Sequence, residues 1–189
     1  MDALVQRRMP GEEGIWIFIF GDMLVFSLFF AIFLYYRGQN VQLFAASQSQ
    51  LNQGYGALNT FFMLTSSWFV ATALQAARRN RGKLAPICFM LAILCCVCFG
   101  VVKVLEYGEK IRIGITLTTN DFYMYYYMFT GIHFLHALIG SGVLAYLARI
   151  SWAGDCDAKT LRNLESGGSF WHLVDLLWIV LFALFYLVK

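Results

Sequence analysis

Three histidines and a few acidic side chains are the residues of this sequence that could carry chemistry, and all six interrupt long apolar runs. They are Asp22, Glu106, His133, His136, His172 and Asp175. An ionisable group in hydrocarbon costs about 2.5–3.5 kcal/mol or more, so such residues face a bundle interior and are functional candidates by default. Two roles fit them: hydrogen bonds across helices that fix the bundle, or proton handling and the binding of lipid headgroups.

The spacing of these residues groups them on helix faces. Three pairs are separated by three positions: Lys103 with Glu106, His133 with His136, and His172 with Asp175. Residues three apart on a helix are neighbours on one face. A rise of 1.5 Å per residue from the apolar-run ends places Asp22 about 10 Å and Asp175 about 9 Å from one membrane face. The two carboxylates are therefore predicted at nearly equal depth.

A bound haem or metal is not expected. A membrane haem needs two imidazoles that face each other, and the same arithmetic places His172 about 5 Å and His136 about 20 Å from the cytoplasmic face. Cys88, Cys95, Cys96, Cys98 and Cys156 give no second C-x-x-C pair for zinc. Buried cysteines in an apolar helix pack as small hydrophobic residues, so the sequence predicts no cofactor.

Neither a nucleophile nor a phosphate-binding loop is predicted. Thr65, Ser66 and Ser67 have no histidine within reach in sequence or in predicted depth. A row of small residues is the remaining pattern: Ala137, Ser141 and Ala145 follow His133 at intervals of four. Small residues at this spacing let helices approach closely, so the row predicts packing of this helix against a neighbour.

The amino-acid composition indicates the class of protein that carries these residues. Sixty per cent of the 189 residues are hydrophobic and 13% are charged, against about 25% charged in soluble domains. A disordered chain, a secreted disulfide scaffold and an ordinary soluble enzyme are thereby excluded. The net charge of +3 is too small to indicate a nucleic-acid partner. A polytopic membrane protein fits.

Five apolar runs have the length that a bilayer-spanning helix needs, about 20 residues. They cover approximately residues 15–36, 58–77, 84–105, 125–150 and 169–188. The connections between them are short, so we expect a single transmembrane domain over residues 1–189. The predicted fold is all-α, a bundle of five transmembrane helices.

Basic residues set the predicted orientation, because Lys and Arg are enriched in cytoplasmic loops. Most of them fall on one side of the five spans: Arg7, Arg8, Arg78, Arg79, Arg81, Lys83, Arg149, Lys159 and Arg162. The amino terminus is therefore expected in the cytoplasm and the carboxyl terminus outside. Tyrosines near the outer span ends are interpreted as an interfacial belt: Tyr35, Tyr36, Tyr107, Tyr123 and Tyr125–Tyr127.

Two motifs make the sequence recognisable. Residues 130–140 read T-G-x-H-x-x-H-x-x-x-G and residues 171–178 read W-H-x-V-D-x-x-W. Both resemble signatures of the cytochrome c oxidase subunit III family of haem-copper oxidases. Residues 103–107 are similar to the family's K-x-x-E-Y element. Residues 20–26 are similar to its carboxylate-bearing helix, with Asp22 where the family usually has Glu.

The resemblance implies a non-catalytic accessory subunit without haem or copper. Such subunits pack beside the catalytic subunit, hold phospholipid in a cleft between helices and support proton uptake. Carried over by motif, the six ionisable residues named above become candidates for this polar and lipid-facing set. The family's longer members have seven helices, and the resemblance implies that this sequence corresponds to the last five.

The five-helix form most resembles the NorE-type member encoded with bacterial nitric oxide reductases, which implies a bacterial cytoplasmic-membrane location. Its partner would be the catalytic haem-copper subunit of a nitric oxide reductase or a terminal oxidase. Alternatives are subunit III of an aerobic cytochrome c or quinol oxidase, an independent proton channel, and a haem-binding membrane protein.

Overall fold

The computed structural model describes residues 11–79, 83–153 and 157–188, and over these ranges the chain contains helices and no strand. The all-α prediction is confirmed. The helices are α1 (Glu13–Gln39), α2 (Val41–Ser49), α3 (Gln53–Arg78), α4 (Leu84–Arg112), α5 (Asp121–Trp152) and α6 (Ala158–Phe182), which continues as a π-helical turn (Ala183–Leu187). All except α2 are long and apolar enough to span a membrane. Arg7, Arg8, Arg81 and Cys156 lie outside the described residues.

Each predicted span coincides with one long helix, but two features differ from the expectation. The short helix α2 was not predicted, and α6 begins at Ala158, well before the apolar run that starts at Ser169. Hydropathy marks only the part of a helix that lies in hydrocarbon, so it does not register the polar first turns of α6.

Side-chain caps explain where three of the helices begin. The side-chain oxygens of Asn52, Asn120 and Asp157 accept hydrogen bonds from Gly54 N (2.9 Å), Tyr123 N (3.0 Å) and Thr160 N (2.7 Å), respectively. Each bond satisfies a backbone N–H that the helix itself leaves unpaired.

Four helices form a ring that holds most of the core. Helix α3 packs against α4 and α6, and α5 packs against the same two, so α4 and α6 lie diagonally across the ring. Glycines permit the closest approaches. A Cβ on Gly140 would lie 2.8 Å from the Trp171 ring, and one on Gly168 would lie 2.7 Å from Leu74.

Helix α1 lies outside the ring and runs alongside α6 in the same direction. Phe18 packs against Phe170 near the beginning of both helices, and Phe33 packs against Phe185 near their ends. Arg37 Nη2 also donates a hydrogen bond to the Val188 carbonyl at 3.0 Å. These contacts fix the register between α1 and α6.

The row of small residues on α5 does not pack as one stripe. His133 and Ala137 are fully buried, but Ser141 is only partly buried and Ala145 is exposed. An α-helix has 3.6 residues per turn, so a strict interval of four rotates steadily around it. The buried line instead passes through Gly140, Leu144 and Leu147. The packing interpretation is wrong for Ser141 and Ala145 within this chain.

Candidate functional site

The helix register gathers the polar residues into two layers. We call the first the inner polar layer: Asp22, Ser67, His133, His136, His172 and Asp175. Phe18–Phe170 and Phe33–Phe185 contacts set Asp22 level with Val174 on α6, and His133 contacts Val174 directly. The predicted equal depth of Asp22 and Asp175 agrees with this register.

Asp22 and His136 join α1 to α5. His136 Nε2 lies 3.3 Å from Asp22 Oδ1, and His136 Nδ1 lies 2.9 Å from the Ile132 carbonyl one turn earlier. The Phe26 ring packs edge-on against the imidazole. Both nitrogens of His136 are therefore occupied by protein groups. The other Asp22 oxygen, Oδ2, is buried and meets no hydrogen-bond partner among residues 11–79, 83–153 and 157–188.

Ser67 and His172 join α3 to α6. The Ser67 hydroxyl lies 2.7 Å from His172 Nδ1. The expectation that Ser67 has no histidine within reach is therefore wrong. It failed because the ends of the apolar runs, from which depth was counted, are not level: Arg78, which follows the run on α3, pairs with Glu165, four residues before the run on α6 begins.

His133 is fully enclosed by the ring. Its Nε2 lies 3.0 Å from the Val174 carbonyl, and its imidazole packs against the rings of Phe99 and Trp178. His133 Nδ1 has no hydrogen-bond partner in the described part of the chain. The contacts tie α5 to α6 near the centre of the bundle.

The expected difference in depth between His136 and His172, which spoke against a haem, is also wrong. On α5, Gly140 meets Trp171 and His133 meets Val174, so His136 between them stands level with the part of α6 that carries His172. The two imidazoles are not separated in depth by about 15 Å. Within the described ranges, no three His, Cys, Asp or Glu side chains come together as a potential metal site.

The second layer, the Lys103 cluster, consists of Lys103, Glu106, Tyr126, Trp178 and Tyr186. Lys103 Nζ lies 2.8 Å from Glu106 Oε2, with the side chains 2% and 0% exposed. Lys103 also donates to the Tyr186 hydroxyl at 3.1 Å, and Tyr186 donates to Glu106 Oε1 at 2.5 Å. The ammonium group of Lys103 and the carboxylate of Glu106 therefore compensate each other's charge inside the cluster.

Aromatic rings complete the enclosure of Lys103. Its Nζ lies 4.8 Å from the Trp178 ring centroid and 5.2 Å from that of Tyr126, within the range of cation–π attraction. The π-helical turn carries Tyr186 into the cluster, and such turns are frequent at functional positions.

Sequence reasoning found only part of this cluster. It paired Lys103 with Glu106 but named only Glu106 as a candidate. Trp178 entered only as the last residue of a motif, and Tyr186 was not named. Tyr123, Tyr125 and Tyr126 of the expected interfacial belt are buried in the bundle. A lysine and a glutamate one turn apart in an apolar helix already indicated a buried ion pair turned into the bundle, which was the available signal.

The arrangement as a whole can hold helices together and keep costly groups away from lipid. None of the six candidates has an exposed side chain, since Glu106, His133 and Asp175 are buried and the others are half-buried. The inner polar layer links α1 to α5, α3 to α6 and α5 to α6, and the Lys103 cluster links α4 to α5 and the end of α6. The fold and site thus define a polytopic helical membrane protein whose polar side chains are turned into the bundle and partly paired there.

Comparison with models of protein families identifies the family of this chain. The model of cytochrome c oxidase subunit III matches residues 5–189, so this chain belongs to that family.

Similar proteins include the cytochrome c oxidase subunit 3 of Thermostichus vulcanus, 28% identical over 178 residues, which cover 93% of this chain and 86% of that protein. The cytochrome bo(3) ubiquinol oxidase subunit 3 of Buchnera aphidicola is 24% identical, with 97% and 98% covered. The heme-copper oxidase subunit I+III of Aeropyrum pernix is also 24% identical. There the match covers 94% of this chain but 22% of that longer protein.

Proposed function

We propose that this chain is the non-catalytic accessory subunit of a respiratory haem-copper complex in a bacterial cytoplasmic membrane. The family match over residues 5–189 carries the proposal. Relatives that align along nearly their whole length are named as subunit 3 of a cytochrome c oxidase and of a ubiquinol oxidase. The chain packs beside the catalytic subunit, with its amino terminus in the cytoplasm.

The internal pairing of the polar core supports a structural role. Each of the three imidazoles has at least one nitrogen engaged by Val174, Ile132 or Ser67. Interhelical hydrogen bonds in membranes contribute about 0.6–2 kcal/mol each, enough to fix helix register. The proposed mechanism is that a rigid bundle shields one face of the catalytic subunit, keeps phospholipid ordered there and supports proton uptake by that subunit.

For the catalytic partner we propose a nitric oxide reductase. The resemblance of the opening of the second span, from Leu58 to Ser67, to the NorE-type member supports this assignment. The oxidase names of the similar proteins favour a second candidate, subunit III of an aerobic cytochrome c or quinol oxidase. Both candidates place the same chain beside a haem-bearing subunit and differ in the gas that the complex reduces.

Extraction of the tagged full chain from its native membrane in a mild detergent tests the proposal. We expect a haem-bearing catalytic subunit to co-purify and to be identified by mass spectrometry. Nitric oxide and oxygen consumption of the complex then separate the two candidates. Complexes from a strain without this chain should lose activity faster during turnover.

Three outcomes would contradict the proposed role. A Soret band from the chain purified without any partner would make it a haem protein. Proton flux through liposomes that contain this chain alone, abolished by Asp22→Asn, would make it a channel. An unchanged activity and lifetime of the complex in the absence of the chain would remove the supporting role.

A further inference from the structure

We propose that an outward stripe of α6, together with the adjoining face of α3, is the docking surface for a transmembrane helix of the haem-bearing subunit. That helix supplies a hydrogen-bonding side chain to His172. We call this surface the α3–α6 face and define it by Leu64, Ser67, His172, Leu176 and Ile179. The inference rests on the proposed function and adds to it the location and chemistry of the contact.

The stripe lies between two packed sides of α6. Helix α1 contacts one side of α6 through Phe170, and α3 contacts the other side through Gly168. Between them His172, Leu176 and Ile179 follow at intervals of four and three, which puts them on one helix face. Leu176 is 45% exposed and Ile179 is 38% exposed, although α6 is the most buried of the spans.

The polar part of this face lies deep in the hydrocarbon. Ser67 is about 21 Å along α3 from Gln53 and about 16 Å from Arg78, near the middle of a core that is about 30 Å thick. His172 uses Nδ1 for Ser67, and no described residue hydrogen-bonds its Nε2. The side chain is half-buried, so this second nitrogen is left at the surface of the bundle.

A transmembrane helix fits this position better than lipid does. Acyl chains offer no hydrogen bond, and headgroups lie about 15 Å away when the hydrocarbon is about 30 Å thick. A polar side chain in hydrocarbon gains a partner most readily from another helix. The other half-buried imidazole, His136, has both nitrogens engaged by Asp22 and Ile132. Among the three histidines, only His172 has a ring nitrogen at the bundle surface without a hydrogen-bond partner in the described part of the chain.

The opposite side of the ring has the composition of a lipid-facing surface. Helix α4 lies diagonally across from α6 and exposes Leu94 and Val97, 58% and 56%, at mid-span. These positions therefore provide matched apolar controls at comparable exposure.

Site-directed photo-crosslinking in native membranes tests the face. A benzophenone amino acid is placed in the full chain at Leu176 or Leu64, and at Leu94 or Val97 as controls. We expect an adduct that stains for haem and yields peptides of a haem-copper catalytic subunit from the first two positions. The two α4 positions should give no such adduct.

The other possible results distinguish a wrong docking surface from a wrong function. Haem-bearing adducts from Leu94 or Val97 instead of Leu176 and Leu64 would overturn the face and leave the accessory role intact. An adduct between two copies of this chain, or no adduct although a haem protein co-purifies, would also overturn it. If no haem protein associates under any condition, the proposed function itself fails.

Substitution of His172 tests the polar contact. His172→Leu should lower the amount of haem-bearing subunit retained through detergent purification by about three- to tenfold, the effect of an interhelical hydrogen bond of about 0.6–1.4 kcal/mol. His172→Gln keeps a hydrogen-bonding group and should restore part of the retention. Thermal unfolding of each purified chain checks that the bundle is intact, and equal retention by both variants would contradict the contact.

Discussion

Lys103 and Glu106 form an ion pair of 2.8 Å within one turn of α4, and the bundle seals both side chains from its surface. The Tyr186 hydroxyl bridges the pair, since it accepts from Lys103 and donates to Glu106. Taking two charges out of water is costly, and a buried pair compensates for this only while both partners are present. The cluster is therefore the place where single substitutions should have their largest effects.

Glu106→Gln should destabilise the chain by about 3–5 kcal/mol, because it leaves the Lys103 ammonium buried without a counter-charge. Thermal or denaturant unfolding of the purified chain in detergent measures the loss. The double variant with Lys103→Met as well should recover most of it, since an apolar pair of similar size needs no counter-charge. A double variant as unstable as the sum of the two single variants would show that the residues are not coupled.

Tyr186→Phe removes the hydroxyl that donates to Glu106 at 2.5 Å. A hydrogen bond to a charged group contributes about 1.5–3 kcal/mol, so the free energy of unfolding should fall by that amount. Tyr146→Phe is the matched control, because Tyr146 lies exposed on α5. Equal effects of the two substitutions in the same unfolding assay would contradict the bridging role of Tyr186.

Asp22→Asn and His136→Gln test the link between α1 and α5. We expect each to weaken the attachment of α1, with a coupling energy of about 0.6–1.7 kcal/mol in a double-mutant cycle. Faster hydrogen exchange in α1 than in α3 reports the loosening directly. Additive single effects would mean that the 3.3 Å contact does not stabilise the bundle.

Gly140→Ala should destabilise the packing of α5 on α6, because its Cβ would lie 2.8 Å from the Trp171 ring. Forcing an extra methyl into a filled core typically costs about 1–3 kcal/mol. Gly131→Ala is the control on the same helix, since a Cβ there meets nothing within 4 Å. It should be neutral or slightly stabilising because Ala favours helix. Similar melting temperatures for the two variants would contradict the close approach.

Asp157 should give the beginning of α6 a dependence on acidic pH. The hydrogen bonds that its carboxylate accepts, chiefly from the Thr160 backbone N–H, lower the pKa of Asp157. Its stabilisation is complete above the ordinary aspartate pKa of about 4 and is lost as the pH falls through the lowered folded-state pKa. Asp157→Asn keeps a capping side chain but does not titrate. The stability difference between the two proteins should therefore shrink below about pH 4, and a constant difference would contradict the cap.

Helix positions were accessible from the sequence because hydrocarbon imposes a length of apolar chain. The bounds of α6 were not, since Lys159, Arg162 and Glu165 are polar yet continue the helix beyond its apolar part. The ends of the apolar runs are also not level with one another, since Arg78 after the run on α3 pairs with Glu165 and not with residue 169. Depths counted from these ends therefore concealed the contact of His172 with Ser67 and produced a false separation from His136.

Buried polar residues were identifiable by their cost, but their partners depended on the helix arrangement. Membrane cost alone could name Asp22 and His136, yet only the packing of α1 against α5 brings them together. The sequence does not distinguish a tyrosine at the membrane interface from a buried one. An aromatic ring with a hydroxyl suits an interface, and it equally suits a buried partner such as Tyr126 beside Lys103.

The pairing of Asp22 with His136 has a consequence for biogenesis. Chains are synthesised from the amino terminus, so α1 leaves the ribosome before the fourth of the five long helices, which carries the imidazole, has been made. During that interval the Asp22 side chain enters the translocon and the lipid without its partner His136. Assembly should therefore pass through a stage in which α1 is inserted but only loosely held until α5 has been made.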